Sequence, residues 1–123
     1  MNELAEKVRR VEGDIAQEKG PFNLYALLER EDLSGRWDLV VSAPWAKEDR
    51  GTLQYLANSL KRRLAPAEMT QLSRVVVLDA AEDPVRSITE TYNVEHGRVE
   101  FNEPARFGLP VKSGYIITSR RAA

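Results

Sequence analysis

The chain has 123 residues, of which 42% are hydrophobic and 30% are charged, with a formal net charge of −1, no cysteine and one histidine, His96. This composition is typical of one globular domain, and it excludes disulfides, thiolate metal sites, a cysteine nucleophile and zinc sites built from several imidazoles. The near-neutral charge argues against a dedicated nucleic-acid-binding protein, and the apolar stretches are too short to span a membrane.

The first predicted element is an amphipathic N-terminal helix over residues 1–20. Its apolar positions recur at helical spacing and so form one stripe, and Gly20 followed by Pro21 ends the helix. The stripe is too short to be stable alone, so we expect it to dock on the body of the domain or on a second copy. Self-association is therefore predicted through Leu4, Val8, Val11 and Ile15.

The next predicted element is a second helix, from Pro21 to Glu31. Pro21 suits the first turn of a helix, and Phe22, Tyr25 and Leu28 recur at a spacing of three residues. The central helix predicted below is expected to cover one face of a sheet, and the two N-terminal helices are candidates to join it there.

The middle of the chain predicts a strand–helix–strand unit. Residues 37–43 form an apolar run typical of an interior strand, and residues 52–64 return to the helical period. Residues 66–71 add one short helical turn, and residues 72–79 are the clearest strand. Two strands joined by a helix are expected to lie in one sheet as a crossover unit.

The last third of the chain predicts an antiparallel hairpin and a final strand. Residues 86–93 alternate like a half-exposed strand, and His96-Gly97 is interpreted as the turn to a strand at 99–101. Residues 102–114 are predicted to be a long loop, either a lid or an arm that reaches a second subunit, before a strand at 115–119. The whole chain, 1–123, is thus predicted to be one two-layer α+β domain with a mixed sheet of about five strands.

The turn after the first predicted strand is a candidate ligand site. Ligands of open α/β sheets bind beyond the carboxyl ends of strands, and a helix N-terminus attracts phosphate or carboxylate groups. The alternative is that Thr52 caps the helix, that the cations are solvated and that Trp45 covers the core. The candidate residues are Ser42, Trp45, Lys47, Arg50, Gly51 and Thr52.

Three carboxylates after the strongest strand are a weaker candidate site for a divalent ion such as Mg²⁺. Asp79, Glu82 and Asp83 lie at a strand end, where carboxylates hold Mg²⁺ together with a substrate phosphate. The alternative is that they bond to the backbone of their own turn. No other cofactor is indicated.

Two further features have simpler structural interpretations. His96 stands beside Gly97, where tolerance for positive φ explains it, and a catalytic role would need an orienting partner that the sequence does not identify. Lys61, Arg62 and Arg63 complement the dipole at a helix C-terminus, and contact with a phosphate backbone is the alternative.

The leading functional hypothesis is a non-catalytic binding or assembly domain that forms a homo-oligomer in the cytoplasm. It depends on the lack of a recognisable catalytic constellation, on the short apolar stripe of the first helix and on the long predicted loop with an apolar tip. The alternative is a small enzyme or ligand-binding protein for a phosphorylated or carboxylated small molecule. That alternative requires the two candidate turns to lie at the same edge of the sheet.

Overall fold

The computed structural model describes residues 3–32, 35–102 and 111–121. The helices are α1 (Glu3–Lys19), α2 (Arg50–Lys61), α3 (Pro66–Met69) and α4 (Asp83–Thr91). The strands are β1 (Leu24–Arg30), β2 (Trp37–Ser42), β3 (Leu72–Val77), β4 (Val99–Phe101) and β5 (Val111–Ser119). None of the helices in these ranges has the length and apolar character needed to cross a bilayer.

The five strands form one mixed sheet in the order β3-β2-β1-β5-β4. Strands β2 and β3 are parallel, with Val40 beside Val76, and all the other neighbours are antiparallel. Helix α2 connects the two parallel strands, so the predicted strand–helix–strand unit is confirmed. The predicted single α+β domain with a five-stranded mixed sheet is confirmed as well.

The sheet has a hydrophobic core on each face, because alternate residues of a strand point to opposite sides. On β1, Tyr25 and Leu27 belong to the core shared with α1 and α2. Leu24, Ala26 and Leu28 belong to the core that includes Val85 and Ile88 of α4. Helix α4 therefore adds a third layer to the predicted two, on the face opposite α1 and α2.

The apolar stripe of α1 is docked on the sheet of its own chain. The exposed fractions of Leu4, Val8, Val11 and Ile15 are 3%, 0%, 0% and 1%. Burying each side chain contributes roughly 1.5–3 kcal/mol, which offsets the weakness of an isolated short helix. These residues are thus covered within one copy, and the stripe offers no surface for the predicted self-association.

The predicted second helix, residues 21–31, is wrong, because residues 24–30 form β1. This strand lies in the centre of the sheet and pairs with β2 on one side and β5 on the other. Its first five residues are all buried. A strand buried on both faces has a continuous apolar run, and such a run also satisfies helical spacing.

The predicted strand at residues 86–93 is also wrong, because residues 83–91 form α4. Pro84 stands in the first turn, where a helix needs no donor from it, and the buried Val85, Ile88 and Thr89 follow the helical period. The predicted hairpin across His96-Gly97 is therefore replaced by the antiparallel pair of β4 and β5.

The predicted long loop at 102–114 is shorter than expected at its far end. Residues 111–114 belong to β5, which pairs with β1 along nearly its whole length. Residues 103–110 lie outside the described part of the chain.

Candidate functional site

The six residues of the predicted ligand site do not converge on one point. Ser42 is the last residue of β2 and is buried within the sheet, where its carbonyl oxygen accepts a hydrogen bond from the Asn23 amide at 2.8 Å. Trp45 is half-buried, whereas Lys47, Arg50 and Gly51 are exposed. Three of the six, Trp45, Gly51 and Thr52, line one cavity, whereas Lys47 lines two others.

Helix α2 is capped by Asp49 and not by Thr52. The carboxylate Oδ1 of Asp49 accepts a hydrogen bond from the Thr52 amide at 2.8 Å. That backbone hydrogen bond holds the pKa of Asp49 below its ordinary value, so the cap is an anion at neutral pH. A phosphate or carboxylate placed at this helix end would meet a negative charge that already occupies it.

The turns after β2 and β3 meet at one edge of the sheet. The amide of Leu78 donates to the carbonyl oxygen of Val41 at 2.9 Å, which continues the parallel pairing to the strand ends. As a result Lys47 and Asp79 line two shared cavities, of about 470 and 290 Å³. Thr52 lines a separate cavity, so only part of the predicted anion site faces the acidic turn.

The acidic turn uses its carboxylates to bond its own backbone. Asp79 Oδ1 accepts from the Ala81 amide at 2.8 Å, and Glu82 Oε2 accepts from the Asp79 amide at 2.7 Å. Asp83 is the first residue of α4. Within the described ranges no three side chains of the types that ligate metals are grouped so that they could hold an ion. The geometry therefore favours the turn interpretation of these three acids over a Mg²⁺ site.

The cavity lined by Thr52 lies between the end of α1 and the start of α2, and two aromatic rings form its walls. Trp45 donates its indole N–H to the Gly20 carbonyl oxygen at 3.1 Å, and Tyr55 donates its hydroxyl to Glu18 at 2.8 Å. The two rings stand nearly perpendicular, at 86°, with centroids 6.2 Å apart. The Nζ atom of Lys19 lies over the Tyr55 ring, 4.9 Å from its centroid. The volume is about 290 Å³.

His96 has the orienting partner that the sequence did not identify. Its Nδ1 lies 2.6 Å from Oε1 of Glu12, a carboxylate of α1 that is only 3% exposed. The other oxygen of Glu12 accepts from the Thr118 hydroxyl at 2.8 Å, and that hydroxyl accepts from the His96 amide at 3.2 Å. His96 also has a φ of 48°, which agrees with its predicted place in a tight turn.

This Glu12–His96–Thr118 cluster connects α1 to β5 and to the segment before β4. A carboxylate accepts hydrogen bonds and does not donate them, so Nδ1 of His96 donates to Glu12. In the described part of the chain no serine, threonine or tyrosine hydroxyl is hydrogen-bonded to Nε2 of His96. Such a dyad positions an imidazole, but the geometry supports a structural connection here and no catalytic triad.

One of the three basic residues at the end of α2, Arg63, bonds a carboxylate of the same chain. Arg63 forms two hydrogen bonds with Asp14 of α1, at 2.5 and 2.9 Å. Lys61 is exposed in the last turn, and the Arg62 amide closes the helix by bonding to the Asn58 carbonyl oxygen. Arg63 is therefore engaged within the chain, whereas the side chains of Lys61 and Arg62 are exposed.

The chain matches no protein-family model, no curated protein and no solved structure. The function must therefore be argued from the chain's own geometry.

Proposed function

We propose that this protein is a non-catalytic assembly domain of the cytoplasm, and that two copies join through the outer edge of β3. The observation that carries the proposal is the position of β3 as a terminal strand that, among the described residues, pairs only with β2. An unpaired strand edge presents free backbone donors and acceptors, and it pairs readily with an extended segment of another chain.

The side chains of β3 suit such pairing. Val75 and Val76 are half-exposed, although their neighbours in the sheet interior are buried. Natural edge strands are often protected by proline, bulges or inward-pointing charges. The pairing of β3 with β2 has an irregularity at Ser73, but from Val75 to Val77 the register is regular, and the run from Val75 to Leu78 contains neither proline nor charge. A second strand would cover this apolar edge.

The backbone of β3 restricts how a second copy can pair. Because the Leu78 amide points towards β2, the backbone groups of Val75 and Val77 point away from β2 by the alternation along a strand. If the two copies are related by a two-fold axis perpendicular to the sheet, their β3 strands run antiparallel, and the face that carries α1 and α2 lies on the same side of the joined sheet in both copies. Val76 then faces the partner's Val76, and Val75 exchanges backbone hydrogen bonds with the partner's Val77.

The charges near β3 are compatible with a second copy as the occupant. Arg74, whose side chain is 54% exposed, bonds the buried Asp38 of β2 through Nε at 3.0 Å, so its charge is compensated within the chain. In the antiparallel arrangement Arg74 lies opposite the partner's apolar Leu78. No like charges therefore face each other across the new strand pair.

The first experiment is sedimentation velocity on the wild type and on Val75→Lys. We expect the wild type to sediment as a dimer and Val75→Lys as a monomer, because a charge at the edge opposes strand pairing. Val99→Lys is the matched control, since Val99 is a half-buried valine of the opposite edge strand, and it should remain dimeric. A monomeric wild type, or a dimer that Val75→Lys leaves intact, would refute the proposal.

The second experiment uses the absence of cysteine from the chain. Val76→Cys introduces a single thiol, and opposed residues of antiparallel strands have Cα atoms about 4.5–5.5 Å apart, within reach of a disulfide. Mild oxidation should therefore produce a covalent dimer from Val76→Cys and not from Val99→Cys. Equal cross-linking of both variants would indicate random collision and would count against the two-fold pairing.

A further inference from the structure

We propose that the cavity between α1 and α2 binds a small quaternary ammonium group, such as the trimethylammonium end of choline. The site is independent of the β3 edge, since it is built from the end of α1, the loop after β2 and the first turns of α2. Its lining residues are Lys19, Trp45, Asp49, Gly51, Thr52 and Tyr55.

Both aromatic walls are held in place by hydrogen bonds and by packing. The indole N–H of Trp45 is anchored to Gly20, and its ring meets Phe22 edge-on with centroids 5.3 Å apart. The hydroxyl of Tyr55 is anchored to Glu18. Because the two rings are nearly perpendicular, they form a corner, and a cation in that corner meets the electron-rich face of at least one ring.

Two carboxylates stand at the corner, and Lys47 and Arg62 lie near it as well as Lys19. Asp49 lines the cavity as an ionised cap, and Glu18 accepts the hydrogen bond of the Tyr55 hydroxyl. A cation placed between the rings is attracted by the ring faces and by these carboxylates. An anion at the same place would meet the Asp49 carboxylate, which already occupies the helix end.

Lys19 shows that the corner accepts a cation. Its ammonium group lies over the Tyr55 ring at a distance typical of cation–π contacts, which are formed within about 6 Å of the centroid. Lys19 is the exposed last residue of α1, so its side chain can swing into solvent at little cost. We therefore interpret Lys19 as an internal occupant that a better cation displaces.

A methylated ammonium group suits this site better than a primary ammonium group. A quaternary ammonium group cannot donate hydrogen bonds and is weakly hydrated, so moving it from water onto aromatic faces costs little hydration free energy. Aromatic cages are the usual means by which proteins recognise such groups. The cavity of about 290 Å³ lies near the lower end of the size range of ligand pockets, which fits a small head group.

The test is a titration with choline chloride, followed by the indole N–H resonances of ¹⁵N-labelled protein, at constant ionic strength. Trp45 should shift, whereas Trp37, which is buried in the core against Tyr115, serves as the internal control. The neutral isostere of choline, in which carbon replaces nitrogen, should leave Trp45 almost unmoved. A tetramethylammonium arm shows whether the choline hydroxyl contributes.

Three variants separate the contributions. Lys19→Ala removes the competing cation and should bind choline several-fold more tightly, a gain that misfolding cannot produce. Asp49→Asn keeps a helix-capping side chain but removes the charge, and should bind several-fold more weakly. Tyr55→Leu should weaken binding about tenfold, the order expected for loss of a cation–π contact. Lys61→Ala, an exposed lysine at the far end of α2, should leave the affinity unchanged.

Clear outcomes would overturn the proposal. Equal shifts with choline and its neutral isostere would show an apolar crevice with no preference for cations. Lys19→Ala that binds no better than the wild type would show that Lys19 does not occupy the site. A Trp45 resonance that stays fixed in both the wild type and Lys19→Ala would show that no site exists.

Discussion

Glu12 is a carboxylate in the core, and its neighbours are arranged to make that burial tolerable. An uncompensated buried charge is costly, but His96 and Thr118 bond the two carboxylate oxygens. Gly13 supplies the space for this arrangement, since a Cβ atom there would lie 3.0 Å from Cε1 of His96. The contact between the His96 imidazole and the Glu12 carboxylate therefore depends on the small size of Gly13 and on the positive φ of His96.

The first prediction concerns Gly13→Ala. Alanine normally stabilises a helix interior by about 1 kcal/mol over glycine, but here its methyl group presses on the imidazole. In the wild-type background we expect Gly13→Ala to raise the unfolding free energy by much less than about 1 kcal/mol, or to lower it. In a His96→Ala background the full gain of about 1 kcal/mol should return. Urea denaturation of the four proteins measures the difference, and an identical effect of alanine in both backgrounds would contradict the packing argument.

The sequence indicates that Glu12 is buried, but it does not identify the residues that bond its carboxylate. Glu12 follows Val8 by four residues and so lies on the buried side of α1, where a carboxylate requires a partner. The partner, His96, is 84 residues away in the chain. Only the tertiary fold brings them together, so periodicity alone predicts a buried acid without naming what bonds it.

At the scale of the element, α1 is fastened by surface ion pairs as well as by its apolar stripe. Asp14 bonds Arg63 after α2, and Lys7 bonds Glu68 of α3 at 2.8 Å. The hydrogen bond from Arg63 holds the pKa of Asp14 below its ordinary value, and the bond from Lys7 does the same for the pKa of Glu68. The two ion pairs connect α1 to the end of α2 and to α3.

The second prediction is the direction of the acid dependence. A carboxylate whose pKa is lowered by folding contributes stability that is fully present above its unfolded pKa, about 4. That contribution is lost as the pH falls through the lower, folded pKa. The unfolding free energy should therefore fall below about pH 4, and Asp14→Asn should make this decline shallower. Parallel pH profiles of wild type and variant would contradict the role of Asp14.

The two mispredicted elements have different causes. β1 is apolar on both sides, and a short continuous apolar run does not distinguish a central strand from a buried helix. In α4 the helical signal was present, since Val85, Ile88, Thr89 and Tyr92 recur at helical spacing after a proline suited to a first turn. The same segment also alternates between β-branched and polar residues, which is typical of a half-exposed strand. Helices α1 and α2 have one clear helical period and were predicted correctly, and β3 was predicted from its short run of β-branched residues.

At the scale of the whole molecule, the sheet has helices on both faces, and its two edge strands, β3 and β4, each pair with one neighbouring strand among the described residues. Topology explains why the sequence predicted only part of the candidate site. Trp45 and Tyr55 are ten residues apart and Lys19 lies on another helix, so the aromatic corner exists only once α1 and α2 have docked on the same face. Thr52 suggested a cap, but Asp49 has the position and geometry to be one.

The third prediction follows from the proposed dimer. If pairing through β3 stabilises the folded state, the Tm of the wild type should rise with protein concentration, because association and folding are linked. Val75→Lys should have a Tm that does not change with concentration, whereas Val99→Lys should retain the dependence. Differential scanning calorimetry over a wide range of concentrations measures both, and a flat response of the wild type would argue against association.

The place of β5 in the sheet has a consequence for how the protein folds as it is synthesised. The central strand β1 is made early, but one of its two neighbours is β5, and the bond from Thr118 to Glu12 spans 106 residues. When β1, β2 and β3 have left the ribosome, the side of β1 that pairs with β5 is still unpaired. The carboxylate of Glu12 in α1 also lacks the hydrogen bond from Thr118. Contacts of such range slow folding, so the nascent chain is held in an incomplete state until its last strand emerges. A ribosome that stalls before residue 111 would therefore leave a product that proteases and chaperones recognise as unfolded.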